Sequence, residues 1–257
     1  MNKIQQAFIK GKAFIPYITG GDPDMETTEK LIYALAEAGA DIIEIGIPFS
    51  DPIAEGPVIE AASARALEAG CTTDKLFELV SRVSSRVDIP LLFMTYYNPV
   101  FVYGLSRFTD MCSQVGIDGL IVPDLPFEER EELLKPCQSC GLELISLIAP
   151  TSVERINNIA SNSSGFLYCV SSLGVTGVRT SLHDYAANMI SQVKEVSDIP
   201  CAVGFGISTP QQAKEIATFA DGVIVGSAIV SIIEEHGRDS ISPVSSYVST
   251  MVEAMRT

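Results

Sequence analysis

Eight apolar runs of strand length punctuate the chain: AFIPYIT (13–19), DIIEIGI (41–47), IPLLFMTYY (89–97), GLIVPDL (119–125), LELISLIAP (142–150), GFLYCVSS (165–172), IPCAVGFG (199–206) and DGVIVGSAI (221–229). Near-continuous apolar strands imply burial on both faces, as in a parallel sheet covered by helices. Segments of helical period lie between them. In METTEKLIYALAEAGA (25–40), Leu31, Leu35 and Ala38 share a stripe that Gly39 closes, and TDKLFELVSRVSSRV, LSRFTDMCSQVG, FEEREELLKPCQSCG, SVERINNIASN, SLHDYAANMISQVKEV and TPQQAKEIATFA repeat the pattern. Eight such units in 257 residues predict an α/β fold, a single (β/α)₈ barrel domain over 1–257 with extra terminal helices, one of them in EEHGRDSISPVSSYVSTMVEAMRT. An open doubly wound sheet fits less well, because no G-x-G-x-x-G follows the first strand.

Charge and cysteine usage narrow the class. Seventeen Lys and Arg against 32 Asp and Glu give a net charge of −15, which disfavours nucleic acid and anionic membranes. No stretch approaches the ~18 apolar residues of a membrane span, and the N-terminus lacks a signal-peptide pattern, so a cytoplasmic location is expected. The six cysteines read as reduced core thiols. Cys137-Gln-Ser-Cys140 lacks the second CxxC or HxxxH that a zinc site needs, and no metal site is expected.

Reactive groups of such barrels sit at the C-terminal ends of strands. By alternation Ile42, Glu44 and Gly46 share one face of the second strand and Ile43 and Ile45 the other, which aims Glu44 into the barrel mouth. A desolvated carboxyl there holds a proton and can act as a general acid. In the loop that follows, prolines restrict the backbone near Asp51 and Glu55; Glu55 is either a second functional carboxylate or a solvated loop charge. Glu60 reads as a first-turn helix acid. Glycine-bearing turns follow the last three strands, and Gly177, Gly206, Gly226 and Ser227 are candidate donors to a phosphate, so a phosphorylated small substrate is expected. His183 and His236 read as surface residues, and Asp124 as an acceptor for loop amides.

PYITGGDP, EIGIPFSDPIAEGP, TYYNPVFVYG, GLIVPDLPFEE, GVTGVR and VGFGIS, in this order, resemble the tryptophan synthase alpha chain from about Phe14 to Ile233. The resemblance implies a lyase that cleaves indole-3-glycerol phosphate to indole and glyceraldehyde 3-phosphate by a retro-aldol reaction. Glu44 matches the family's acid/base glutamate. Glu55 stands where the best-known members carry the aspartate that accepts from the indole N–H. Tyr17, Met94, Ile121, Ile148, Tyr168 and Phe205 match the indole pocket, Gly177, Gly206, Gly226 and Ser227 the phosphate site, and Asp51 and Thr176 a pair that closes loops over substrate. Ser172 replaces a frequent arginine, with Arg179 nearby. The resemblance further implies an αββα heterotetramer with a beta chain, docked through the IPFSDP and YYNPVF loops, and pyridoxal phosphate carried only by that partner. An alternative is a weakly active or non-catalytic barrel subunit that regulates the beta chain.

Overall fold

The computed structural model describes residues 2–149, 151–170, 179–204 and 206–257. The eight strands are β1 (Ala13–Thr19), β2 (Ile43–Gly46), β3 (Leu91–Met94), β4 (Gly119–Ile121), β5 (Glu143–Ile148), β6 (Leu167–Val170), β7 (Cys201–Gly204) and β8 (Gly222–Val225). Each pairs in parallel with the next, and β1 pairs with β8 from Ala13↔Gly222 to Pro16↔Val225, closing the barrel. Most strands are shorter than the apolar runs that announce them. The surplus residues turn into loops that stay buried against the core, as Tyr96 and Val122 do, so hydrophobicity outlasts the hydrogen-bonded ladder.

The helices are α1 (Lys3–Ile9), α2 (Met25–Glu37), α3 (Pro57–Glu68), α4 (Thr73–Val83), α5 (Tyr97–Tyr103), α6 (Leu105–Val115), α7 (Glu131–Ser139), α8 (Val153–Ser161), α9 (Arg179–Val196), α10 (Pro210–Ala217), α11 (Ser227–His236) and α12 (Ile241–Arg256). Many starts follow from side-chain capping: Asp24, Thr72, Ser152 and Thr209 each accept a first-turn N–H. The expected terminal helix is α12, which packs on α2 and α10. Helix α5 begins at Tyr97, the last residue of the run 89–97 that reads as strand.

Alternation along the strands divides the core into two layers. Ile15, Ile42, Leu92, Ile121, Ile145 and Ile224 fill the barrel interior. Ile18, Ile43, Ile45, Phe93, Leu144 and Val203 face the helices. The interior is closed from below by α1, whose Ile4 and Ala7 join the inner layer and whose Phe8 ring lies 5.5 Å from that of Phe166. Asn2 anchors this helix by a capping box with Gln5 and by donating its amide to Glu143 at the start of β5.

A repeated device fixes the lower rim. Asp41, Asp118 and Asp221 stand just before β2, β4 and β8, and each carboxylate accepts an N–H from the first two residues of a neighbouring strand: Phe14 at 2.9 Å, Leu91 at 3.2 Å and Cys201 at 2.9 Å. At the edge of a parallel ladder these donors otherwise face the chain ends without a partner. Asp41 additionally receives Arg256 of α12 at 3.0 Å, which ties the terminal helix to the barrel floor. Replacing Asp41 with Ala removes both bonds and is expected to lower unfolding free energy by about 1–3 kcal/mol in urea titrations, with an unchanged m-value.

Candidate active site

At the C-terminal mouth a cavity of about 340 Å³ opens between β1, α3, β6 and α11. Its wall brings together Tyr17, Glu55, Met94, Tyr168, Gly206, Gly226 and Ser227, residues far apart in the chain that the sequence singles out for one site. Ala54 and Gly56 flank Glu55 on the wall, and Ile59, Ile207, Ser208, Ile224, Ala228 and Ser231 complete it, Ser231 following Ser227 by four residues on the same helix face.

Glu44 points inward from β2 between Tyr17 of β1 and Leu92 of β3, its strand neighbours in register. It is fully buried, and neither carboxyl oxygen has a hydrogen-bond partner. Burial pushes its pKa from 4.5 to about 8, so the side chain is a neutral acid at neutral pH. Glu44 is not itself part of the cavity wall, but Tyr17 and Tyr168 are; burial, and to a lesser extent Glu44 in its ionised form, raises the pKa of both phenols. Two glycines make room for those phenols. A Cβ on Gly46 would stand 2.1 Å from Tyr17 Oη, and one on Gly204 would stand 2.7 Å from Tyr168 Oη, so each ring leans over the bare backbone of the next strand.

Glu55 lies at the cavity edge just ahead of α3. Burial, aided by repulsion from Glu60, raises its pKa to about 7, and Oε2 has no partner. Across the cavity α11 begins at Ser227, with Gly226 as an N-cap that offers no side chain, so no side-chain cap occupies its first-turn N–H groups, and the Ile229 N–H turns back to the Gly226 carbonyl at 2.9 Å. A partly exposed ion-pair network braces these walls. Arg65 of α3 donates Nε and Nη2 to Asp22 in the loop after β1, both at 2.9 Å, and Nη1 to Glu234 of α11 at 2.8 Å. Its fork joins α3, which follows Glu55, to α11, which starts at Ser227.

The remaining expected positions distribute differently. Ile121 is buried in the inner layer, under the cavity rather than on its wall. Ile148 is a correction: it packs outward with the helix-facing layer, while Ile145 and Leu147 of the same strand point inward. The phase of β5 places Ile148 on the opposite face. Asp51 is exposed in an adjoining groove with Phe49 and Glu60, where Ser50 donates to it. Glu60 does sit in the first turn of α3, Asp124 accepts the Tyr97 N–H at 2.8 Å, and His236 is exposed in the last turn of α11. Thr176, Gly177, Phe205 and Ser172 lie outside the described residues, as do the side chains of Arg179 and His183. Among the described residues no cluster of His, Cys, Asp or Glu is placed to hold a metal, and no helix is long and apolar enough to cross a membrane.

Comparison with known proteins bears on the whole chain. The family model of the tryptophan synthase alpha chain matches residues 4–256. The chain belongs to the tryptophan synthase alpha chain family. The alpha chain of Thermoanaerobacter sp. (strain X514) is 46% identical across 99% of this chain and 100% of its own length. That of Geotalea uraniireducens (strain Rf4) is 50% identical across 90% and 86%. Among solved structures, the alpha subunit of Legionella pneumophila superposes with a TM-score of 0.91 at 38% identity, covering 100% of this chain and 99% of that one. A chain of the α₂β₂ tryptophan synthase complex of Pyrococcus furiosus gives 0.88 at 36%, covering 95% and 98%. The family's reaction is the lyase step of tryptophan biosynthesis that splits indole-3-glycerol phosphate into indole and glyceraldehyde 3-phosphate.

The burial of Glu44 has a stability signature. Below about pH 4.5 native and unfolded chains both hold the proton; between 4.5 and about 8 the unfolded chain releases it while the native chain keeps it, so native stability falls across that window. Glu44→Gln carries no such penalty. The variant is expected to match wild type near pH 5 and to exceed it progressively up to about pH 8, by an amount on the order of a few kcal/mol, in denaturant titrations at stepped pH.

Proposed function

We propose that Glu44 and Glu55 divide the acid–base work of indole-3-glycerol phosphate cleavage in this chain. Neutral Glu44 donates its proton to indole C3, and the positive charge that develops at the ring nitrogen is stabilised by ionised Glu55, which accepts the N–H. The carboxylate so formed on Glu44 takes the glycerol hydroxyl proton as the C–C bond breaks; the bonding pair restores the aromatic ring, and the aldehyde is left on the phosphate-bearing fragment. Glu44 ends as it began, protonated. Tyr17, Met94 and Tyr168 offer the apolar wall that suits an indole ring, and Gly206, Gly226 and Ser227 the donors that suit a phosphate. The observation that carries this reading is the pair of orphaned oxygens on a fully buried Glu44 beside a substrate-sized cavity: such a group costs stability, and a role in the chemistry accounts for its presence. To reach C3 the carboxyl swings out between the two phenols that flank it.

The longer reach of Glu55 relative to aspartate keeps the charge and lengthens the arm by one methylene. Asp51 and Thr176 are assigned to loop closure over bound substrate, which excludes water and strengthens the field on both carboxylates. The partner assigned to the mouth is a tryptophan synthase beta chain in an αββα complex, with pyridoxal phosphate held by the partner and none in this chain. Ile53, Phe101 and Val102 support that docking face: they are 79%, 59% and 77% exposed and lie in or beside the loops expected to meet it. The cell compartment assigned is the cytoplasm.

Because Glu55 must be ionised and Glu44 protonated, kcat/KM for indole-3-glycerol phosphate is expected to rise through about pH 7 and fall above about pH 8. Glu44→Gln is expected to lower indole release by about 10²–10⁴-fold, and Glu55→Ala by about 10²-fold. Glu55→Asp should move only the acid limb. Glu44→Gln that releases indole at the wild-type rate would refute the assignment.

A further inference from the structure

The turn after β7 brings Gly206 and the next two residues, Ile207 and Ser208, to the cavity wall. Gly206 has a φ of +72°, in the left-handed region, and a Cβ there would meet nothing within 4 Å, so the glycine serves the backbone path rather than a crowded neighbour. Among the described residues no group accepts the N–H of Gly206 or of Ile207. Ser208 is the opposite case. Its N–H and its Oγ both donate to Oε1 of Gln212, at 2.9 and 3.3 Å, and its carbonyl accepts from Oη of Tyr247 at 2.9 Å. Ser208 therefore stands on the wall with no donor left for an anion. Gln212 belongs to the capping box that opens α10, where the same Oε1 takes the Thr209 N–H at 3.1 Å. Tyr247 comes from α12, the terminal helix, 39 residues beyond the serine it holds.

We propose that Tyr247 is a positioning residue for phosphate recognition: by holding the Ser208 carbonyl from α12 it keeps the two preceding amides, of Gly206 and Ile207, turned toward the substrate phosphate. This rests on the phosphate-side reading given above to Gly206, Gly226 and Ser227. Consecutive backbone N–H groups make an anion cradle only while their peptides keep one orientation. The peptide between Ser208 and Thr209 is held at both ends, its C=O by Tyr247 and its N–H by Gln212, so it resists flipping. Gln212 moves with the turn that it caps. Tyr247 instead ties that turn to a separate helix, which Val244, Val248 and Met251 seat in the core. Burial pushes the Tyr247 phenol up to about 12, so it stays a neutral donor throughout the range in which the two carboxyls titrate. The phosphate end of the substrate is remote from the bond that breaks, and a contact made equally in ground and transition states changes binding without changing the chemical step.

Tyr247→Phe removes the donor and keeps the ring. Val248→Ala truncates a buried side chain of the same helix and leaves the hydrogen bond in place. Wild type and the two variants, each as the full chain, are compared by cleavage of indole-3-glycerol phosphate, followed as glyceraldehyde 3-phosphate, and by its inhibition with inorganic phosphate or with indole. For Tyr247→Phe, KM and the inhibition constant of inorganic phosphate are expected to rise together by about three- to fivefold, as the loss of one neutral hydrogen bond implies. Its kcat is expected to stay within about twofold of wild type, with the inhibition constant of indole and both limbs of the pH profile unchanged. Val248→Ala is expected to lower the melting temperature and to leave inhibition by phosphate as in wild type. Unchanged inhibition of Tyr247→Phe by phosphate overturns the inference, as does an equal weakening of phosphate and indole, or the same loss of phosphate affinity in Val248→Ala. A wild-type chain that inorganic phosphate does not inhibit contradicts the phosphate-side reading itself and takes the inference with it; inhibition of wild type and Tyr247→Phe to the same degree strikes Tyr247 alone.

Discussion

A carboxyl with no partner, enclosed by a closed parallel barrel, is the constraint around which the mouth of this protein is built. Burying a charged glutamate is far more costly than burying an acid, and Glu44 meets that cost by keeping its proton. Around it the barrel supplies apolar contacts but no hydrogen bonds: Leu92 on one neighbouring strand, Tyr17 on the other, and the phenol of Tyr168 across the interior. Gly46 and Gly204 give up their side chains so that both phenols fit. The result is an acid of tuned strength, made by subtraction of partners rather than by addition of charges.

The second carboxylate is tuned differently. Glu55 is half-buried at a helix start, with Glu60 one turn on and Tyr96 gripping the amide beside it. Burial alone accounts for Glu44, whereas Glu55 owes part of its shift to a like charge, and neither is raised mainly by the other. Two carboxyls of one residue type thereby differ in acidity near neutrality, Glu55 ionising about one unit below Glu44, as the division of roles proposed for them requires. The bracing of α3 to α11 through Arg65, Asp22 and Glu234 keeps the Glu55 wall and the Ser227 wall at a fixed separation, which a substrate with an indole at one end and a phosphate at the other requires.

Much of this was legible in the sequence because it rests on periodicity. The inward aim of Glu44 follows from the alternation of Ile42, Glu44 and Gly46 against Ile43 and Ile45, and the two core layers divide those residues in just that way. That Gly206 and Gly226 line the mouth follows from their places after the seventh and eighth strands. What periodicity does not fix is the phase of a strand whose apolar residues are contiguous. In β5 Leu144, Ile145, Leu147 and Ile148 suit either face, and Ile148 falls outward. The plug formed by α1, the carboxylates of Asp41, Asp118 and Asp221 under the barrel, and the hydrogen bond of Tyr96 to Ala54 are tertiary pairings between segments 20 or more residues apart, and no local pattern marks them. Family resemblance filled part of that gap at Glu55, where residue type and spacing alone left a solvated loop charge equally acceptable.

The central claim is that Glu44 is a neutral acid in the folded chain at neutral pH. Carbon NMR of protein labelled at the glutamate side-chain carboxyl, with the Glu44 resonance assigned by its absence from Glu44→Gln, follows that proton directly. A resonance that stays protonated through pH 7 and titrates near 8 is the expected result. One that titrates near 4.5, with the bulk of the surface glutamates, would show the buried carboxyl to be ionised and would contradict the account.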